Sequence, residues 1–294
     1  MKLIASDLDG TLLQEDGTIS EANQKAIQAA IDKGIEFIVA TGRSYDAARI
    51  PLEKAGIDCS VISLNGAVSY TKEKEIIRSI PLEKDVAKQI TDVCDQEGMY
   101  IELFTNKGIY SGSREYFLEV MVDIMTSANP NISEKDVREQ AERRFQFEPV
   151  EFINDYHAVL DSTDINVYKI LVFATEPEQL SNASEKLRSE EGVVITSSGE
   201  INLEFNHPEA QKGLAVEQYV QQKQWTMEDV MSIGDNWNDA SMLQMAGRGV
   251  AMGNAADEIK ALCSYTTLTN REDGVAVALE EMLKEQQKII DASL

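Results

Sequence analysis

Two aspartates two positions apart, Asp7 and Asp9, follow the apolar run Leu3-Ile4-Ala5 and Ser6, and Gly10-Thr11 comes directly after them. If residues 2 to 6 form a strand, both carboxylates leave its C-terminal end on the same side, because side chains in an extended chain repeat every two residues. Crowded carboxylates repel one another and lose hydration, and a hard divalent cation such as Mg²⁺ relieves both costs. The plainer reading is a turn with solvated aspartates, since Asp and Gly are common turn formers. A second acidic focus, Gly234-Asp235-Asn236-Trp237-Asn238-Asp239, follows the apolar Val230-Met231-Ser232-Ile233. Taken alone it is an Asp-rich helix cap facing solvent. Thr41-Gly42-Arg43-Ser44 follows a third apolar run, and a hydroxyl with approachable backbone amides at a helix start suits a phosphoryl oxygen. Its competing reading is a simple helix cap at Ser44. Polar switches placed at successive strand ends are what the solvent-facing readings explain poorly.

The elements that would position these groups are legible in the intervening residues. Ser20 predicts an N-cap, Ala22, Ala26, Ile27 and Ala30 an apolar helical stripe, and Gly34 its stop. Residues 35–40 then predict a buried strand. Strand, helix and strand in about 40 residues is the rhythm of a parallel α/β sheet, whose ligands gather beyond the C-terminal strand ends. Residues 59–64 predict a further core strand, Asn65-Gly66 a turn, and residues 67–70 with 75–77 a small hairpin. From about Glu83 to Asn206 helical and strand patterns mix. Val86, Ile90, Val93 and Cys94 mark one helix, and Phe117, Val120, Met121 and Ile124 a second. Residues 100–104 and 167–173 read as strands, Leu180, Ala183 and Leu187 as a helix face, and 193–196 with 201–205 as a hairpin turning at Ser198-Gly199. The charged residues from Glu134 to Glu148 predict a solvated helix face. The core resumes with a helix from Lys212, strands at 230–233 and 249–252, and a last helix carrying Val275, Leu279, Met282 and Leu283.

Asp7-Leu8-Asp9-Gly10-Thr11-Leu12 resembles the first motif of the haloacid dehalogenase-like phosphohydrolases. Thr41, Lys212-Gly213 and Gly234–Asp239 resemble the remaining three motifs in order. The resemblance implies a Rossmann-like parallel-sheet core with an inserted α+β cap, of fold class α/β. It divides the chain into core 1–82, cap 83–207 and core 208–294. Only 29 residues separate Thr11 from Thr41, which leaves no room there for a helical cap; the insertion falls between the second and third motifs, as in the Cof-type phosphatases. The resemblance further implies Asp7 as nucleophile and Asp9 as general acid and base. Thr41, Gly42 and Lys212 would bind the phosphoryl group, with Asn238 in support. Mg²⁺ would be held by Asp7, Asp235 and the backbone carbonyl of Asp9, with Asp239 behind it. Asn65 supports the site, and Arg43 either contacts substrate or closes the interface with the cap. The approach His207-Pro208-Glu209-Ala210-Gln211 departs from the smaller polar approach common in the family. That departure bears on the hinge more than on Lys212.

The totals restrict what else is possible. With 51 acidic against 27 basic residues the formal charge is -24, which disfavours nucleic acid or an anionic membrane as partner. Cys59, Cys94 and Cys263 are odd in number and far apart, so neither a disulfide scaffold nor a zinc site is expected. No basic segment precedes a long apolar one and no apolar run approaches 18 residues, so the expectation is a cytoplasmic protein, monomeric or a small homo-oligomer. The expected substrate is a small phosphorylated metabolite, sugar phosphates first, with pyridoxal phosphate or a nucleotide behind them. Glu102, Tyr110, Arg114, Tyr116, Arg143, Arg144, His157 and Lys169 are cap candidates for selectivity. Asn254 is expected to serve as a structural cap rather than to brace the site. The alternatives are a sugar phosphomutase with a related cap and a non-catalytic metabolite sensor. A nicotinamide enzyme lacks its GxGxxG turn here, and a nucleotide-sugar transferase would leave Thr41, Lys212 and Asp235 unexplained.

Overall fold

The computed structural model describes residues 1–128, 133–148, 150–197 and 201–292. The expected turn at Ser198-Gly199 lies outside them, as do the side chains of Ile124, Arg143 and Arg144. The chain divides into two compact units, Met1–Ser79 with Glu209–Leu294, and Ile80–Pro208.

In the first unit eight strands form one sheet, in the order Tyr265–Thr266, Arg248–Ala251, Val230–Gly234, Leu3–Ser6, Glu36–Ala40, Ser60–Ser63, Val68–Tyr70, Ile76–Ser79. The first six run parallel and the last two are antiparallel additions. The central strands are apolar throughout because helices cover both faces. Alternation divides their side chains. Ile4, Phe37, Val39, Val61, Met231 and Ile233 enter a core built with the helices Glu21–Asp32, Tyr45–Lys54 and Gly274–Ala292. Leu3, Ala5, Ile38, Ala40, Ile62 and Val230 enter the opposite core, against Ala215, Val216, Tyr219 and Val220 of the helix Lys212–Gln222.

The helix Glu21–Asp32 begins where expected, with Ser20 Oγ accepting from the Asn23 N–H at 3.1 Å, and Gly34 follows its end at φ +82°. Asn23 is fully buried on its core face, a placement its polarity did not suggest. Its Oδ1 accepts from Ala276 N at 2.9 Å and its Nδ2 donates to Leu12 O at 3.4 Å, tying this helix to the last one and to the turn after Asp9. Asn23→Ala should therefore destabilise the fold by about 1–3 kcal/mol, the cost of leaving buried polar groups unpaired. Urea denaturation followed by circular dichroism measures it.

The second unit is α+β. Its six strands lie in the order Val194–Thr196, Asn202–Asn206, Val167–Phe173, Tyr100–Thr105, Gly108–Ser111, Val150–Phe152, antiparallel except for the last pair. One sheet face, with Ile101, Leu103, Ile170, Val172 and Phe205, packs with Ala87, Ile90 and Cys94 of the helix Lys84–Gln96 and with Ala183 and Leu187 of Pro177–Leu187. Tyr100 and Phe117 cluster on the other face, their ring centroids 5.2 Å apart. Alternation sends Glu102, Lys169 and Glu204 to that second face as well.

Candidate active site

Each acidic segment sits at the C-terminal end of a parallel strand, and the two strands, Leu3–Ser6 and Val230–Gly234, are hydrogen-bonded neighbours. Asp7 continues the first strand by one residue, its N–H donating to Ile233 O at 3.0 Å, and its side chain is almost wholly buried. The chain then turns sharply. Leu8–Leu12 forms a kinked helical turn in which Gly10 takes φ +77°. Glycine is favoured at position 10: a Cβ there would lie 2.4 Å from Asp235 Oδ2, and L side chains rarely adopt that backbone conformation.

This turn corrects the expectation that Asp7 and Asp9 point together. The strand ends at Ser6, so period-two alternation does not reach Asp9. Asp7 Oδ1 accepts from Lys212 Nζ at 2.7 Å. The Asp9 carboxylate instead lies in a two-pronged pair with Arg43, Nε to Oδ2 at 2.7 Å and Nη2 to Oδ1 at 2.5 Å. The carboxylates actually crowded together are Asp7, Asp235 and Asp239, with one oxygen of each within 4.8 Å of the others.

Lys212 is the first residue of its helix and is fully buried. Its Nζ also donates to Asp239 Oδ1 at 2.6 Å. Burial would favour the neutral amine, but Asp239 and Asp7 outweigh it and hold Lys212 protonated, its pKa above the ordinary value. Asp239 Oδ2 accepts from the N–H groups of Asp235 and Asn236, at 2.9 and 3.0 Å. Both Asp239 oxygens are thus engaged by the chain, so this residue braces the lysine and the Asp235 loop together.

Asp235 Oδ1 accepts from Thr11 Oγ1 at 2.7 Å. The sequence around Thr11 does not announce this role, because its partner lies 224 residues away. Burial raises the Asp235 carboxyl to about 6, against the Thr11 hydrogen bond and with repulsion from Asp239 adding to it. Burial also raises Asp7 well above the usual carboxylate range; Lys212 opposes this and the two neighbouring aspartates reinforce it. Three carboxylates around one ammonium, in a dry setting that penalises their charge, form a donor set suited to a hard divalent cation. The residues therefore fit Mg²⁺.

Because its folded pKa lies above the ordinary 3.8, the stability Asp235 contributes is fully present below that value and is lost as pH rises through about 6. A bound cation reverses this, since it takes the ionised carboxylate. Magnesium should consequently raise the melting temperature more at about pH 7.5 than at about pH 5, where protons compete for Asp235. Thermal melts in chelator and in excess magnesium measure the difference, and Asp235→Asn should abolish it.

Thr41 directly follows the neighbouring strand Glu36–Ala40, almost fully buried, and its Oγ1 accepts from Arg43 N at 3.1 Å. Accepting there leaves the hydroxyl proton unused in that bond. Ser44 is indeed the cap of the helix Tyr45–Lys54, accepting from Ala47 N at 3.3 Å. Gly42 lies against Asn65, whose Oδ1 would be 3.0 Å from a Cβ at position 42. Leu64 and Asn65 both take left-handed backbone, at φ +50° and +58°, a costly conformation for leucine. Leu64 N donates to Arg43 O and Asn65 N to Thr41 O, each at 3.0 Å, which holds this turn onto the Thr41 loop. The turn also joins two antiparallel strands, as the Asn-Gly pair predicted. Asn238 Nδ2 donates to Asn65 Oδ1 at 3.3 Å and links the two loops. Asn254, expected to be only a cap, does two things. It accepts from Asn270 N at 3.0 Å and donates to Gly10 O at 2.8 Å, bracing the turn beside Asp9.

The second-unit candidates separate by environment. Tyr110 packs in the apolar core of that unit. Glu102 is fully buried and accepts from Tyr100 OH at 2.9 Å, and Lys169 is buried with its Nζ 3.6 Å from Glu204. His157 is about half exposed beside Asp92 at 2.7 Å. Tyr116 OH donates to Gly98 O, and Arg114 lies 3.6 Å from Glu142.

Residues 4–279 match the model of the haloacid dehalogenase-like hydrolases. The chain belongs to that family. Phosphatase YwpJ of Bacillus subtilis is 36% identical over 286 residues, covering 96% of this chain and all of the relative. The 5-amino-6-(5-phospho-D-ribitylamino)uracil phosphatase YwtE of the same organism is 32% identical, covering 97% and 99%. A solved haloacid dehalogenase-like hydrolase from B. subtilis superposes with a TM-score of 0.84 at 35% identity, covering 95% of this chain and 99% of that one. This haloacid dehalogenase-like hydrolase thus has relatives that carry phosphatase names. Its α+β insertion between the Thr41 and Lys212 segments is that of the Cof-type subgroup.

Proposed function

We propose that this hydrolase cleaves small phosphate monoesters, sugar and sugar-alcohol phosphates first among them, by way of a phosphoryl group carried on Asp7. The observation that supports this most is the buried array of Lys212 between Asp7 and Asp239, with Asp235 beside them. The Lys212 ammonium donates to Asp7 Oδ1 and favours the ionised carboxylate, which is the form an attacking nucleophile needs.

Mg²⁺, held by Asp7, Asp235 and the Asp9 carbonyl, would supply charge neutralisation to the transferring phosphoryl oxygens. In the proposed sequence Asp7 attacks phosphorus in line while Lys212 and the Thr41–Arg43 donors hold the phosphoryl oxygens. Asp9 gives its proton to the departing alkoxide. It then takes a proton from the water that attacks the aspartyl-phosphate at phosphorus, so one group serves both steps. Asp239 and Thr11 touch no reacting atom in this scheme; they hold Lys212 and Asp235 in place. The substrate preference rests on the subgroup and on the relative named for a phosphate carried by a D-ribityl chain.

A phosphate-release screen of the whole protein across phosphorylated metabolites, with and without magnesium, tests the reading. Release should require the metal and should be seen with polyol and sugar phosphates. Transfer of the phosphoryl group to a second sugar position without free phosphate would favour a mutase, and inertness toward every ester would contradict both.

A further inference from the structure

The pairing of Asp9 with Arg43 is at odds with the work proposed for Asp9. A carboxyl that protonates a leaving oxygen must present one of its own oxygens to it. Here both oxygens are turned to the guanidinium, at 2.7 and 2.5 Å, in a fork that fixes the plane of the carboxylate. The arrangement is a resting one, and something has to undo it.

The placement of the pair says what could. Asp9 comes from the turn after Leu3–Ser6 and Arg43 from the loop after Glu36–Ala40, and those strands are parallel neighbours. The Arg43 backbone is anchored, its N–H on Thr41 Oγ1 at 3.1 Å and its carbonyl accepting from Leu64 N at 3.0 Å. The Arg43 backbone is thus fixed while its long side chain reaches across to Asp9, next to the Thr41–Arg43 donors assigned above to the phosphoryl group. Unlike the Lys212–Asp7 pair, whose side chains are 0% and 7% exposed, this one is open to solvent, at 33% and 56%. Solvent screens even a two-pronged pair at such exposure, so it is worth less than a buried one. A phosphate monoester dianion brings more charge than one carboxylate and matches the same planar fork, so it competes well for the guanidinium.

We propose that Arg43 is a substrate-released latch: it holds Asp9 aside in the resting enzyme and passes to the phosphoryl group of an arriving phosphate monoester, freeing Asp9 to turn to the leaving oxygen. The inference rests on the phosphatase reading above, and it makes Arg43 a substrate-binding residue as well as a positioning one.

The test is a binding cycle with inorganic phosphate, titrated by calorimetry in magnesium into the intact protein, Asp9→Ala, Arg43→Gln and the double variant. If Asp9 and phosphate compete for Arg43, Asp9→Ala should tighten phosphate by about three- to tenfold, and Arg43→Gln should weaken it. In the Arg43→Gln background the gain from Asp9→Ala should shrink to below about twofold. Arg43→Lys, which keeps the charge without the fork, should retain part of the gain and guards against a loop disturbed by glutamine. An equal gain with and without Arg43 would mean simple relief of negative charge and would overturn the latch while leaving the phosphatase reading intact. No gain from Asp9→Ala would overturn it in the same way. Failure of the unaltered protein to bind phosphate at all would take both away.

Discussion

Asp7→Asn should reduce turnover of any phosphate ester by at least about 10³-fold while leaving the protein folded, because an amide cannot serve as the nucleophile. The stability half of this expectation has a definite sign. Burial raises the Asp7 carboxyl, so its ionised form is disfavoured in the folded metal-free protein. Stability contributed by such a group is complete below the ordinary carboxyl value and is lost as pH rises through the raised one. An asparagine keeps an acceptor for Lys212 at 2.7 Å and removes one of the mutually repelling charges. In chelator near neutral pH the variant should therefore melt at or above the temperature of the parent protein. Phosphate release under steady state and thermal denaturation with chelator measure the two effects separately. A variant retaining near-normal turnover would remove Asp7 from the chemistry. One that unfolds would make its carboxylate a structural group.

Lys212→Met should differ from Asp7→Asn in losing much of the stability along with the activity. The ammonium is fully buried between Asp7 and Asp239, and its removal leaves carboxylates facing one another without a cation. Breaking a buried pair by deleting one partner costs about 3–5 kcal/mol, a large share of the roughly 5–15 kcal/mol that domains possess. Lys212 is raised above the ordinary lysine value, so its contribution is fully present below that value and is lost only at pH above the working range. The loss should accordingly be seen across all neutral pH values. Pairing the change with Asp239→Asn should recover part of the stability and none of the activity, since the neutral amide relieves repulsion without restoring a cation. Urea titrations of the single and double variants provide the comparison. Equal stability of Lys212→Met and the parent would mean that the buried carboxylates are already protonated at neutral pH.

Much of the scaffold was readable because its signals are local. Apolar runs ending in polar residues gave the parallel strands, Ser20 and Gly34 bounded a helix, and the space between the Thr41 and Lys212 segments was large enough for a separate domain. Features that depend on distant partners were not readable in this way. Nothing near Asn23 announces that it ties the first helix to Ala276, and nothing near Thr11 announces Asp235. Asp9 is the most instructive case. Strand alternation sent it alongside Asp7, but the strand stops at Ser6, and Gly10 turns the chain so that Arg43, 34 residues later, becomes its partner. In the second unit the sequence offers Glu102 and Lys169 only as cap candidates for selectivity, because a local pattern does not orient a charged side chain. Their strand positions place them on a sheet face where they are buried with other polar residues.

The reading of the site turns on whether phosphorus becomes bonded to Asp7. Acid quenching during magnesium-supported turnover, followed by hydroxylamine treatment and mass spectrometry of the N-terminal peptide, tests this directly. A hydroxamate at Asp7 that disappears in chelator and in Asp7→Asn is the predicted result. Rapid phosphate release with Asp7 unmodified, or with the label on another residue, would contradict it.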